Sequence, residues 1–338
     1  MAIFEVEDLH VKIPLEDGFL HPVRGISFSV EKGETLCIVG ESGSGKSLTS
    51  LAIMNLLPKK AQRSSKKMRF EKFDLSNLHS QEISNLRGNK VAMIFQEPMT
   101  SLNPVFTIGD QLCEVYNRHI KSSKQEAEDR AIYLLERVGI AAARARLQQY
   151  PHELSGGLRQ RVMIAMALMC NPDMLIADEP TTALDVTIQA QILRLLKELQ
   201  NELGITLIFI THDLGVVARI ANKVGVMYAG QIVEYGNVRE IFKNPRHPYT
   251  QALLSCIPIP GETKRRSPLG SIPGIVPSLI GEIRGCAFSN RCEYTEPSCL
   301  DHVKEWRFES GHICRCNLEM VNSDHDIYSL HETTELSS

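Results

Sequence analysis

The stretch that most constrains this chain is Gly40-Glu41-Ser42-Gly43-Ser44-Gly45-Lys46-Ser47. It lies between the apolar run Leu36-Cys37-Ile38-Val39 and the segment Leu48-Thr49-Ser50-Leu51-Ala52-Ile53-Met54. The order is strand, glycine-rich loop, helix, with G-x-x-x-x-G-K-S complete. The glycines let successive backbone N–H groups turn inward around a phosphate without a Cβ in the way. A helix starting near Lys46 aims its positive dipole end at the same anion. The Lys46 ammonium reaches the outer phosphates, and the Ser47 hydroxyl is placed to ligate Mg²⁺. The plain alternative is a glycine-rich turn before an ordinary helix, and residues further along weigh against it.

With 338 residues the chain predicts roughly two domains and a large core. A hydrophobic content of 43%, a charged content of 23% and a net charge of −3 are ordinary for a soluble protein and give no sign of duplex nucleic acid as a partner. Met1–Asp8 carries acid where a signal peptide needs base, and no apolar run approaches a membrane span. The expectation is a cytosolic protein with reduced cysteines.

Phe4–Val6, Val11–Ile13 and Ile26–Val30 read as short strands, and Lys59–Lys67 as a basic surface loop. Strand Val91–Phe95 delivers Gln96, either a loop residue or a metal and water ligand at a sheet edge. From Asn103 to about Pro151 the period turns helical, with the capping box Ser123–Glu126. Leu154-Ser155-Gly156-Gly157-Leu158-Arg159-Gln160 opens another helix running to Cys170. Ser155 can serve there as a plain N-cap, but two glycines weaken a helix start by about 1 kcal/mol each. They suit a second site where phosphate meets bare backbone N–H groups.

Met174–Ala177 is a buried strand ending in Asp178-Glu179. Such an acid pair is costly unless it meets a cation: Asp178 would hold Mg²⁺, and Glu179 would polarise an attacking water. Asp185 caps the next helix, and strand Thr206–Ile210 delivers His212 one sheet edge from the acid pair. That neighbourhood favours a catalytic role for this histidine.

Taken in order, Gln96, Leu154–Gln160, Asp178-Glu179, Ala183-Leu184-Asp185 and His212 resemble the nucleotide-binding subunits of ATP-binding-cassette transporters. The resemblance covers residues 1–250 and implies an α/β fold. This is a RecA-like P-loop ATPase core with antiparallel β and α-helical subdomains, the helical one at about 97–165. It also implies a head-to-tail dimer with ATP between one subunit's phosphate loop and the other's signature helix. On that pattern Gly40–Ser47, Leu48, Gln96, Asp178, Glu179 and His212 face one nucleotide. Ser155, Gly156, Gly157, Gln160 and Asp185 complete the nucleotide contacts, with Ser155-Gly156-Gly157 facing the other nucleotide. Ser47, Gln96 and Asp178 would hold Mg²⁺; Glu179, His212 and Gln96 would be catalytic. The family stacks adenine on an aromatic near the end of the first strand. Ile13 and Pro14 stand there instead, which makes Phe19 the candidate.

Phe95–Pro104 and Asn244–Leu254 are very like the peptide-import branch, the oligopeptide and dipeptide permease ATPases, although Met68–Phe73 lacks that branch's glycine turn. The resemblance implies a peripheral subunit on the cytoplasmic face of the inner membrane. It implies as partners a membrane permease, a second ATPase subunit, identical or not, and indirectly an extracytoplasmic substrate-binding protein. Relatives handling nickel, glutathione or antimicrobial peptides are the alternative. A soluble cassette ATPase of DNA repair or translation is the rival from another class; it would carry a second cassette or a long coiled-coil or basic insert, and this sequence has neither.

Five of the nine cysteines crowd one late segment, as Cys286-x5-Cys292-x6-Cys299-x14-Cys314 followed by Cys316. The spacing matches neither common zinc fingers nor ferredoxins, so the residues leave zinc, an iron–sulfur cluster and free thiols open. The family resemblance implies a [4Fe–4S] cluster on Cys286, Cys292, Cys299 and Cys314, with Cys316 as the alternative fourth ligand. A redox sensor with ATPase activity secondary is a further reading. Residues 251–318 are expected to form a small irregular cysteine-containing C-terminal domain. Five prolines mark an irregular connector at 256–284, and a polar tail covers 319–338.

Overall fold

The computed structural model describes residues 2–97, 101–182, 185–257 and 271–319, with the backbone of 327–329. Pro98-Met99-Thr100, Ala183-Leu184, residues 258–270 of the proline-rich connector and the polar tail beyond 319 otherwise lie outside the described residues.

Two strands, β1 (Ala2–Leu15) and β2 (Gly18–Glu31), form a long antiparallel hairpin. The sequence suggests shorter strands here because the alternation breaks. The structure instead absorbs each break as a bulge, one of them beside Asp8, whose φ is 54°. Next come β3 (Thr35–Val39), buried throughout, and α1 (Lys46–Ile53). Part of the stretch expected as a basic loop is strand: β4 (Gln62–Ser64) pairs with β1. So does β5 (Lys67–Phe70), which buries Met68 and Phe70, and β6 (Phe73–Asp74) closes this sheet. Charged alternate residues on a strand face water, so composition alone reads such a segment as loop.

After α2 (Ser80–Leu86) and β7 (Val91–Ile94) the described chain is helical and loop until residue 173. The helices are α3 (Ile108–His119), α4 (Lys124–Arg137), α5 (Ala143–Arg146) and α6 (Gly156–Ala167), the last stopping short of Cys170. Then follow β8 (Met174–Asp178), α7 (Val186–Leu203), β9 (Thr206–Thr211), α8 (Leu214–Ile220), β10 (Lys223–Tyr228) and β11 (Gln231–Asn237). The helices α9 (Val238–Lys243) and α10 (Pro248–Ser255) lead to the late segment, which carries β12 (Glu305–Phe308) and β13 (Ile313–Arg315).

In the main sheet β7, β8, β9, β3 and β10 are parallel neighbours in that order, which explains their unbroken apolar character. Beyond β10 the sheet turns antiparallel through β11, β13 and β12. The cysteine-bearing segment is therefore mostly irregular, but its strands continue the main sheet, with Glu234 opposite Cys314 and Tyr235 opposite Ile313. Phe288 is buried in the same core as β10 and α10, its ring 5.3 Å from Tyr228 and 5.4 Å from Tyr249. Among the described residues no helix is long and apolar enough to cross a membrane.

Candidate functional site

The parallel strands deliver the site at their carboxyl ends, where α/β folds bind ligands. β3 runs into the phosphate loop, whose glycines are needed for close approach. A Cβ on Gly40 would stand 2.0 Å from the Met227 carbonyl oxygen, and one on Gly45 (φ 102°) 2.0 Å from that of Pro22. Gly45 is also the N-cap of α1 and supplies no side-chain hydrogen bond, so the first N–H groups of the helix stay available to an anion.

Lys46, only 4% exposed, donates to the carbonyls of Gly40 and Glu41, each at 2.9 Å. Its Nζ lies 3.9 Å from Glu179 Oε1. Burial pulls the ammonium's pKa down, against the opposing pull of Glu179, Asp178 and Glu41. The Ser47 hydroxyl donates to Asp178 Oδ1 at 3.0 Å, joining the end of β8 to the start of α1. Burial pushes the Asp178 carboxyl up to about 6, opposed by the Ser47 hydrogen bond and reinforced by the neighbouring Glu179 charge.

Glu179 is the meeting point. Its φ of 44° lies in the left-handed region, an arrangement that costs a non-glycine residue about 1 kcal/mol. The carboxylate accepts from Thr182 Oγ1 at 2.8 Å and Gln96 Nε2 at 3.4 Å, with His212 Nδ1 at 3.3 Å. Residues from four sheet-edge loops thus surround one carboxylate. Thr182 is not singled out by the sequence; its offset of three residues from Glu179, beyond a proline turn, is the signal that could have found it.

Among the described residues no hydrogen bond or ion pair joins Ser155, Gly156 or Gly157 to this cluster. Ser155 caps α6, accepting from Leu158 N–H at 3.4 Å, and Gly157 faces α7, where a Cβ would stand 3.2 Å from Ile188. Gln160 is buried in the helix packing, with its amide nitrogen unpartnered. Asp185 caps α7 by accepting from Ile188 N–H at 2.9 Å. Leu48 packs, half-buried, on the core beneath the antiparallel sheet. Phe19 stands at the tip of the β1–β2 hairpin opposite Pro14, 42% exposed. Glu41 turns its carboxylate away from Lys46, to Arg291.

Cys286, Cys292, Cys299 and Cys316 line one small cavity together with His247. The expected fourth residue, Cys314, does not line it: strand pairing with Glu234 and Trp306 buries it in the sheet, and Cys316 takes its place. Burial raises the Cys286 thiol and takes Cys316 up to about 11. Among the described residues no group of three or more histidine, cysteine, aspartate or glutamate side chains is arranged to hold a metal ion. Mg²⁺ needs no such group, because it is commonly held by one or two carboxylates with substrate phosphates and water.

A parallel sheet with a phosphate loop at its centre, an acid pair on the next strand but one and a histidine between them defines a P-loop nucleoside triphosphatase. The family descriptions agree: "ABC transporter" matches residues 23–182, and "Oligopeptide/dipeptide transporter, C-terminal region" matches 233–299. The oligopeptide transport ATP-binding protein OppD of Bacillus subtilis is 54% identical over 90% of this chain and 88% of its own length. The dipeptide transport ATP-binding protein DppD of Escherichia coli is 51% identical over 88% of this chain and 91% of its own. Among solved structures, the dimeric cassette MJ0796 in a post-hydrolysis state with ADP and Pi superposes with a TM-score of 0.63 at 26% identity. It spans 70% of this chain and 99% of that one. The chain belongs to the ATP-binding subunits of ABC transporters and is an ATPase of that family.

Proposed function

We propose that this chain couples hydrolysis of MgATP to import of dipeptides or oligopeptides through a separate membrane permease. The convergence of Lys46, Gln96, Thr182 and His212 on Glu179, beside the Ser47–Asp178 pair, is the observation that carries the ATPase half. Lys46 and the α1 N-terminus bind the phosphates, and Ser47 and Asp178 hold Mg²⁺, with Gln96 at the same edge. Glu179 orients and polarises the attacking water, while His212 stabilises charge on the transferring group. The left-handed backbone at Glu179 fixes its carboxylate in advance, so little reorganisation is left to the reaction. Ser155, Gly156 and Gly157 serve a second nucleotide across a head-to-tail dimer.

The peptide half rests on the relatives and on the C-terminal region they share. An open apolar groove lined by Met54, Leu56, Phe95, Val115, Met163 and Met166 supports docking of a permease's cytoplasmic helix, which would place the chain peripherally on the inner face of the membrane. Peptide uptake in cells lacking this chain tests the reading: wild type restores it and K46A does not, whereas uptake of nickel or glutathione alone would reassign the substrate.

The [4Fe–4S] cluster rests on the family resemblance, with the shared cavity of Cys286, Cys292, Cys299 and Cys316 in its support. Anaerobic purification followed by iron and acid-labile sulfide analysis tests it, about four of each per chain being the cubane stoichiometry.

A further inference from the structure

Glu41 is the second residue of the phosphate loop, and none of its polar groups is left loose. Its N–H donates to the Tyr249 hydroxyl at 3.0 Å, and its carbonyl accepts from Lys46 Nζ at 2.9 Å. Its carboxylate receives Arg291 Nη1 at 3.1 and 3.0 Å. The Arg291 side chain is 3% exposed and also donates from Nη1 to the Tyr228 hydroxyl at 3.3 Å, from Nε to the Pro273 carbonyl at 2.9 Å and from Nη2 to that of Ile272 at 3.0 Å. The guanidinium also lies near the Tyr228 and Phe288 rings, 5.7 and 5.9 Å from their centroids. The connector bends around it at Gly274 (φ 86°), where a Cβ would come within 2.9 Å of the arginine Cγ. Arg291 ends the short turn Ser289–Arg291, one residue before Cys292 of the cysteine-lined cavity.

We propose that Arg291 is a positioning residue for nucleotide binding: by clamping Glu41 it fixes the first turn of the phosphate loop, and it links occupancy of that loop to the order of the Cys286–Cys292 turn. The Arg291 side chain is buried and its Nη1 reaches both Glu41 oxygens, so this part-buried, charge-assisted contact transmits position better than a surface ion pair does. Glu41 passes it on through its own carbonyl to Lys46, the group that meets the phosphates. The link is reciprocal by thermodynamic necessity: whatever stabilises the Cys286–Cys292 turn tightens nucleotide binding, and nucleotide steadies the turn.

The inference rests on the nucleotide reading of the phosphate loop, so wild type and K46A are measured beside the test variants. MgATP affinity of the full chain is determined by calorimetry for E41Q, R291K and E41Q/R291K, with folding checked by circular dichroism. Lysine keeps the charge and stem of Arg291 but cannot span Glu41, Pro273 and Ile272 at once. Each single variant should weaken MgATP about tenfold, within the usual range of coupling between sites, and the double variant no further. In wild type, saturating MgATP should slow amide hydrogen exchange across the 286–292 turn, followed by mass spectrometry, about tenfold; in E41Q it should leave the rate unchanged. A purely structural contact would lower the melting temperature and move neither readout. Unchanged affinity in folded E41Q and R291K, or losses that multiply in the double variant, would overturn the proposal alone. Wild type that fails to bind MgATP would overturn the nucleotide reading with it. Should R291K not fold, E41Q carries both measurements.

Discussion

At the parallel edge of the main sheet, Lys46, Asp178 and Glu179 bring ionisable groups of both signs together and satisfy them with one another and with Ser47, Thr182 and Gln96. At its antiparallel end, the cysteine cavity gathers four thiols and a histidine, and burial disfavours the charged forms of Cys286, Cys316 and His247. Cys316 is raised to about 11, and His247 is pushed down to about 4 by burial, against the nearby Glu234. His247 Nδ1 accepts from Tyr249 N–H at 3.0 Å, so the proton sits on Nε2, a buried atom without a partner. The first site is organised for ions before any arrive; the second must release protons to take a cation. Arg291, with Glu41 on one side and Cys292 next in the chain, is the hinge between them.

The difference can be broken at several points. Phe288→Ala should have the largest effect on stability, about 3–5 kcal/mol by urea unfolding, because its ring seats the cysteine segment on Tyr228 and Tyr249. A cost below about 1 kcal/mol would mean that the segment is not part of the same core.

Asp178→Asn tests the charged site with a defined pH signature. The folded chain holds the Asp178 proton up to about 6, against an ordinary value of 3.8, so its contribution to stability falls as pH rises across that window. Without nucleotide or divalent cation, the variant should therefore be more stable than wild type by about 1–3 kcal/mol at pH 8. The gain should vanish near pH 3.5. An equal gain at both pH values would remove burial of the charge as its cause.

Tyr249→Phe is the smallest of the three. It takes the hydroxyl acceptor from Glu41 N–H at a cost of about 1 kcal/mol, measured again by urea unfolding, with little change in packing. A loss as large as that of Phe288→Ala would put the hydroxyl, rather than the ring, at the centre of the junction.

The charged site was legible because its chemistry is written in contiguous runs. Gly40–Ser47 and Asp178-Glu179 each follow a strand that the apolar pattern marks, and the fold only has to set those strands side by side. Thr182 and Arg291 were not singled out: Thr182 has only its offset from Glu179 and Arg291 only its place before Cys292, and each acquires its role from a contact the tertiary fold makes. The choice between Cys314 and Cys316 was open for a related reason: spacing lists the thiols, but only the pairing of β13 with β11 and β12 shows which of the two is enclosed in the sheet. In the Lys59–Lys67 stretch only Gln62–Ser64 and Lys67 are strand, and so short a polar strand between lysine- and serine-rich turns has the composition of a loop.

The most direct measurement is single-turnover hydrolysis and MgATP binding by Glu179→Gln beside wild type. Glutamine keeps the shape and the contacts with Thr182 and His212 within reach but cannot polarise water as a carboxylate does. Hydrolysis should fall at least about a hundredfold while MgATP still binds, the usual scale for losing a general base. Hydrolysis at the wild-type rate would contradict the assignment of Glu179 as the group around which this site is built.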